Sequence, residues 1–173
     1  MDERREREAI PTKNPTAVER KSGCELVVTR TVNGPAHLVF EAWTRADLFR
    51  RWWVPKSFGL TLLSCEMDVR VGGGYHLTFS HQGSTMEFFG TYLEVTPNSR
   101  LVWTNEEGEG GTTVTTVTFE ESDGKTLLVV HDLYPSTEAL DAAVASGSTG
   151  GLPEQLDALE ELLHSLESGT PTN

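Results

Sequence analysis

Apolar and polar residues follow two different periods along this chain. From Cys24 to Val32 β-branched and apolar residues dominate, in Cys24-Glu25-Leu26-Val27-Val28-Thr29-Arg30-Thr31-Val32, and predict a first strand. After Asn33-Gly34, Pro35 suits the first turn of a helix, and Leu38, Val39, Ala42 and Trp43 then recur at helical spacing. Thr44 with Asp47 three residues on resembles a capping box and predicts a second short helix through Leu48 and Trp52, stopped by Pro55. Between Ser57 and Asp132 the period becomes that of strands, over 58–69, 74–81, 85–96, 100–106, 112–121 and 125–133. Turn-forming residues separate these segments: Gly72-Gly73-Gly74, His81-Gln82-Gly83, Pro97-Asn98-Ser99, Glu107 to Gly111 and Ser122-Asp123-Gly124. Links this short make an antiparallel meander, because they cannot cross to a parallel neighbour. Ser136 or Thr137 then caps a helix through about Ala145, and Gly147 to Gly151 interrupts it. In the last element Leu152, Leu156, Leu159, Leu163 and Leu166 fall on one helical face.

A sheet with one apolar face needs a cover, and one long amphipathic helix is available to supply it. The expected fold is therefore α+β, with a curved sheet gripping the C-terminal helix. A single helix does not fill the hollow of a strongly curved sheet, so a cavity suited to apolar ligands is expected between them. Residues 1–21 are polar, carry Pro11 and Pro15, and lack a sustained period. They are expected to form a disordered tail, with 22–167 as one domain and 168–173 as a C-terminal tail.

Alternation nominates the inward positions of each strand. These are Tyr75, Leu77 and Phe79, followed by His81; Leu101 and Trp103; Thr115, Val117 and Phe119; and Leu127, Val129 and His131. In 85–93 the two faces compete, with Met86, Phe88 and Tyr92 on one and Glu87, Phe89 and Leu93 on the other. Of Trp52 and Trp53, one is expected to pack inside and the other to shape the pocket mouth. The candidate ligand-binding set is Trp53, Tyr75, Leu77, Phe79, Trp103, Val117, Phe119, Val129, His131, Leu152, Leu156 and Leu159.

Composition narrows the function classes. The 173 residues carry a net charge of -12, which repels phosphate backbones and argues against nucleic-acid binding. No apolar run approaches the ~20 residues of a membrane span, and the mixed-charge start, Met1-Asp2-Glu3-Arg4-Arg5, is unlike a secretory signal. A cytoplasmic protein is expected. Cys24 and Cys65 stand in no metal-ligand spacing, and His76 and His81 fall on opposite faces of a strand, so neither a metal nor a cofactor is expected. Glu66, Asp68 and Arg70 read as a solvated, ion-paired strand face. The three glycines at 72–74 have strands on both sides, unlike a phosphate-binding loop, which opens a helix.

Several short signals occur in a fixed order: Arg30; Val39-Phe40-Glu41-Ala42-Trp43; Trp52-Trp53-Val54-Pro55; Arg70-Val71-Gly72-Gly73 with Tyr75; Pro97-Asn98-Ser99-Arg100-Leu101; and Ser146-Gly147. In this order the set, covering about 24–166, resembles the homologues of the activator of the 90-kDa heat-shock protein ATPase, within the START/polyketide-cyclase superfamily. The resemblance implies a helix-grip fold: a curved antiparallel sheet of about six or seven strands around a long C-terminal helix, with two short helices after strand one. Relatives usually carry Gly-Trp where this chain has Gly151-Leu152, which implies a roomier or differently shaped cavity. Fold does not fix function. The leading expectation is binding of a small apolar or amphipathic molecule, with no catalytic residue assigned. The alternatives are a cyclase- or hydratase-type enzyme, with His131 as acid or base and Tyr75 or Tyr92 orienting substrate, and a module binding a chaperone or another protein partner. Self-association as a homodimer is an expectation by analogy.

Overall fold

The computed structural model describes residues 15–54, 56–106 and 111–167. Eight strands form one curved antiparallel sheet: β1 (Ala17–Ser22), β2 (Glu25–Asn33), β3 (Thr61–Met67), β4 (Gly74–His81), β5 (Ser84–Thr96), β6 (Arg100–Asn105), β7 (Thr113–Ser122) and β8 (Lys125–Leu133). Their spatial order is β1-β2-β8-β7-β6-β5-β4-β3. Two helices, α1 (Ala36–Thr44) and α2 (Ala46–Phe49), carry the chain from β2 to the far edge, where β3 begins. The meander then returns strand by strand until β8 pairs with β2. Helices α3 (Thr137–Ser146) and α4 (Leu152–Glu167) follow. This is the α+β helix-grip arrangement that the sequence predicts.

The strand count exceeds the expected six or seven because residues 17–21, expected to lie in a disordered tail, form with Ser22 a strand paired with β2. Every residue of β1 is exposed, so neither face carries the apolar periodicity that marks a half-buried strand. Backbone pairing across the tight turn at Gly23-Cys24 holds it instead. Residues 1–14 and 168–173, the remainder of the expected tails, lie outside the described residues, as does Pro55.

Two local expectations also change. The capping box at Thr44 and Asp47 does not form: the Thr44 hydroxyl donates to the Phe40 carbonyl at 2.8 Å, and Arg45 caps α2 without a side-chain bond. The first free amide of α1, on Ala36, donates instead to Glu121 of β7 at 3.0 Å. On β8 the inward face is Thr126, Leu128 and Val130, not Leu127, Val129 and His131. Cross-strand partners share a face, and Val117 pairs with Val130 while Phe119 pairs with Leu128. The inward choice for β7 therefore fixes that of β8. Leu127-Leu128-Val129-Val130 is apolar at both parities, which is why alternation alone misassigned it.

The core lies between the concave face and the helices. Trp43 is its hub, with ring centroids 4.8 Å from Trp52, 5.8 Å from Trp53 and 5.8 Å from Trp103. The two tryptophans differ in burial. Trp52 is buried and donates Nε1 to the Ala42 carbonyl at 2.9 Å, while Trp53 is half-buried and stacks on Phe49. Helix α4 packs Leu156, Leu159, Leu162 and Leu163 inward against α1 and β2. One polar clamp joins it to the sheet. Arg30, 2% exposed on β2, meets Asp157 at 2.7 Å and Glu160 at 2.5 Å. The second Glu160 oxygen accepts the Asn33 amide at 2.8 Å.

Candidate functional site

Beyond Trp43 the concave face is not filled. A half-open cavity of about 690 Å³ lies between β3–β6 and the segments around α2, α3 and the start of α4. Aromatic and aliphatic side chains make most of its wall: Trp43, Phe49, Trp53, Phe58 and Leu60 from the helical side, and Met67, Tyr75, Leu77, Phe79, Met86, Phe88, Tyr92 and Trp103 from the strands. Inward alternation of β4 places Tyr75, Leu77, Phe79 and His81 on it, as the sequence predicts. The ambiguity in β5 resolves toward Met86, Phe88 and Tyr92. A second lobe shares Trp43, Trp53, Phe88, Trp103, Asn105 and Gln155 and extends under α3 to Thr115, Val130, Asp132, Tyr134 and Leu152.

The candidate residues divide accordingly. Trp53, Tyr75, Leu77, Phe79 and Trp103 line the first lobe, and Leu152 lines the second. Val117, Phe119, Leu156 and Leu159 face the interior but are packed core; Phe119, for example, lies edge-on to Phe40 of α1 at 5.4 Å. Val129 and His131 stand on the opposite face of the sheet. His131 neighbours Val27 and Thr116, and its Nε2 is 2.9 Å from Glu25. That hydrogen bond is the main cause holding the Glu25 carboxyl below its usual range.

Of the polar groups of the cavity, alternation gave the inward positions of Tyr75, His81, Trp103 and Thr115, while Asn105, Asp132 and Gln155 went unnoticed in the sequence. Tyr75, Trp103, Asn105, Thr115 and Asp132 form a directed hydrogen-bond chain. Asn105 Oδ1 accepts from Trp103 Nε1 at 3.2 Å and from the Tyr75 hydroxyl at 2.9 Å. An indole N–H only donates, so the atom that Asn105 turns to Trp103 is its oxygen. Its Nδ2 then donates to Thr115 Oγ1 at 2.9 Å, which frees the threonine proton for Asp132 Oδ1 at 2.6 Å. Burial pushes the Asp132 carboxyl above its ordinary range, against the opposing effects of the Thr115 hydrogen bond and the nearby His131. What surface Asp132 keeps faces the second lobe. Tyr134 beside it is pushed up to about 12, by burial first and Asp132 second. Tyr92, in the first lobe, is raised mainly by burial. Gln155 of α4 donates Nε2 to the Trp53 carbonyl, and Glu154 accepts the Ser57 amide at 3.0 Å, so α4 fixes the segment carrying Trp53 and Phe58 at the mouth. No group of three or more His, Cys, Asp and Glu among the described residues is arranged for a metal ion.

The raised carboxyl has a consequence for stability. The unfolded chain releases the Asp132 proton at a lower pH than the folded protein does, so rising pH favours unfolding from the ordinary carboxylate range up through the folded value. Asp132→Asn keeps an oxygen for Thr115 and removes this titration. The variant is expected to melt increasingly above the wild type as pH rises from 4 to 8. A difference that stays constant or shrinks over that range would contradict the assignment.

The sequence matches the family described as Activator of Hsp90 ATPase homolog 1-like protein over residues 33–164. The search of curated proteins gives no match. Solved bacterial structures share the fold. A protein from Rhodobacter sphaeroides superimposes with a TM-score of 0.81 at 22% identity, covering 87% of this chain and 99% of its own. One from Nitrosomonas europaea gives 0.77 at 22%, covering 86% and 99%. One from Chromobacterium violaceum gives 0.69 at 27%, covering 82% and 98%. No helix among the described residues is long and apolar enough to cross a membrane. With the ordered motifs, the sheet-and-helix grip and a sequence match over most of its length, this chain belongs to the family of Activator of Hsp90 ATPase homolog 1-like proteins.

Proposed function

We propose that this protein binds a small apolar or amphipathic molecule in the cavity between its sheet and its helices. The observation that carries this reading is the wall itself. A half-open volume of about 690 Å³ is bounded mainly by aromatic and aliphatic side chains, with a few polar groups convergent at one end. Ligand sites of this size combine an apolar body with a small number of orienting polar atoms. Filling such a hollow with more core would stabilise the fold, since unfilled apolar volume costs stability. The enzyme reading through His131 loses its motivation, because that ring lies across the sheet from the cavity and pairs with Glu25. Native mass spectrometry of gently purified protein, followed by denaturing extraction, tests the binding reading. A reproducible adduct released on denaturation, and displaced by Leu77→Trp, is expected. An apo mass together with unchanged tryptophan fluorescence on titration with medium-chain apolar compounds would overturn it.

A further inference from the structure

The second lobe differs from the first in chemistry. It ends at Asp132, a carboxyl that no arginine or lysine approaches: neither basic residue type is among the described residues lining either lobe. The hydrogen-bond chain fixes the state of one oxygen. Trp103 Nε1 can only donate, which orients the Asn105 amide; Asn105 Nδ2 donates to Thr115 Oγ1, and Thr115 Oγ1 donates to Asp132 Oδ1. Oδ2 has no protein hydrogen-bond partner among the described residues. The lobe that holds it carries four aromatic residues, Trp43, Trp53, Phe88 and Trp103, which it shares with the first lobe. Aromatic side chains in the same lobe as an acid attract organic cations, through the ring quadrupoles and through charge. The net charge of -12 adds a field of the same sign.

Resting on the cavity-binding reading above, we propose that the ligand is an amphipathic organic cation, its ammonium head against Asp132 and its apolar body along the tryptophan-lined wall. Thr115 and Asn105 are positioning residues: they hold Oδ1 and so aim Oδ2. Other groups line the lobe around the carboxyl. Tyr134 lies just beyond the end of β8, Thr115 comes from β7, Glu138 from α3 and Gln155 from α4. His131 and its partner Glu25 lie across the sheet. Burial without a cation favours the protonated acid, and the arriving head group favours the carboxylate. Binding is therefore coupled to release of a proton from Asp132, and affinity for a permanently charged cation rises with pH up to the point where the acid is already ionised.

The test uses the full chain and three probes of matched tail: decyltrimethylammonium, 1-decanol and decanoate, each below its self-association range. Calorimetry at pH 6 in two buffers of different ionisation heat reads affinity and proton release together. In the wild type, the cation is expected to bind with proton release, the alcohol without it, and the anion weakest. Asp132→Asn is expected to lower cation affinity by about tenfold or more, far more than alcohol affinity, because a charge pair in a poorly solvated site is lost. Equal cation affinity in the two proteins, or cation binding without proton release, overturns the proposal while alcohol binding leaves the cavity reading standing. Failure of all three probes overturns both. Should Asp132→Asn not fold, the wild-type proton count decides alone.

Discussion

Arg30→Ala is expected to lower the melting temperature by roughly 10 °C, the counterpart of about 3–5 kcal/mol in a domain of this size. The guanidinium is 2% exposed and serves two carboxylates on α4, Asp157 at 2.7 Å and Glu160 at 2.5 Å. It also donates to Thr16 beside β1 at 2.9 Å. A pair in this setting is costly to assemble and costlier to break. Its Coulomb gain is offset by desolvation, but truncation removes one buried cation from two carboxylates at once. Thermal melting at constant pH checks the magnitude. A double-mutant cycle with Glu160→Gln checks the cause, since glutamine keeps an acceptor for the Asn33 amide and removes the charge. The expected coupling exceeds about 1 kcal/mol, as for neighbours in one network. Additive losses would mean that Arg30 acts through packing of its stem rather than through the pair.

The same residue shows what kind of information the sequence carried. Arg30 belongs to the ordered motif set, yet in a strand whose neighbours are Leu26, Val28 and Val32 its parity puts a charge on the inward face. The pattern gave the strand and the resemblance gave the position; neither gave the partner, which is about 130 residues away. Long-range pairing also decided the cavity. Strand β4 alternates cleanly, so Tyr75, Leu77 and Phe79 were legible as wall residues. Strand β8 is apolar at both parities, and its face follows only from its register with β7, which one strand's sequence does not contain. His131 was therefore nominated and Asp132, one residue on, was missed. The error is physical: a one-residue shift exchanges every side chain between the faces. Val117, Phe119, Leu156 and Leu159 were read correctly as inward, but whether an inward residue is core or wall depends on which stretch of concave face the helices cover. The exposed β1 left no periodic trace because it buries neither face.

Gly90→Ala is expected to be the most damaging single substitution, although it adds only a methyl group. A Cβ there would lie 1.7 Å from the Thr104 carbonyl oxygen and 2.7 Å from its carbonyl carbon, both backbone atoms of the adjoining strand. Neither can yield without displacing β6, which pairs with β7 along its length. A loss above about 4 kcal/mol is expected, the range reserved for a short list of severe mechanisms. The closeness also builds the site. Tyr75 pairs with Gly90 across β4 and β5, and its ring lies over the bare glycine, within 2.9 Å of where the Cβ would be. From there its hydroxyl reaches the Thr104 carbonyl at 3.0 Å and Asn105 Oδ1 at 2.9 Å, the head of the chain that ends on Asp132. A side chain at 90 would lift the ring off and break that chain along with the sheet. Urea unfolding of Gly90→Ala beside Gly150→Ala separates this from a general cost of replacing glycine, since a Cβ at Gly150 meets nothing within 4 Å. The Gly150 variant is expected to stay within about 0.5 kcal/mol of the wild type, as surface changes do. A Gly90 variant with an equally small loss would mean that β5 and β6 can separate there without cost, and that the hydrogen-bond chain tolerates a displaced Tyr75.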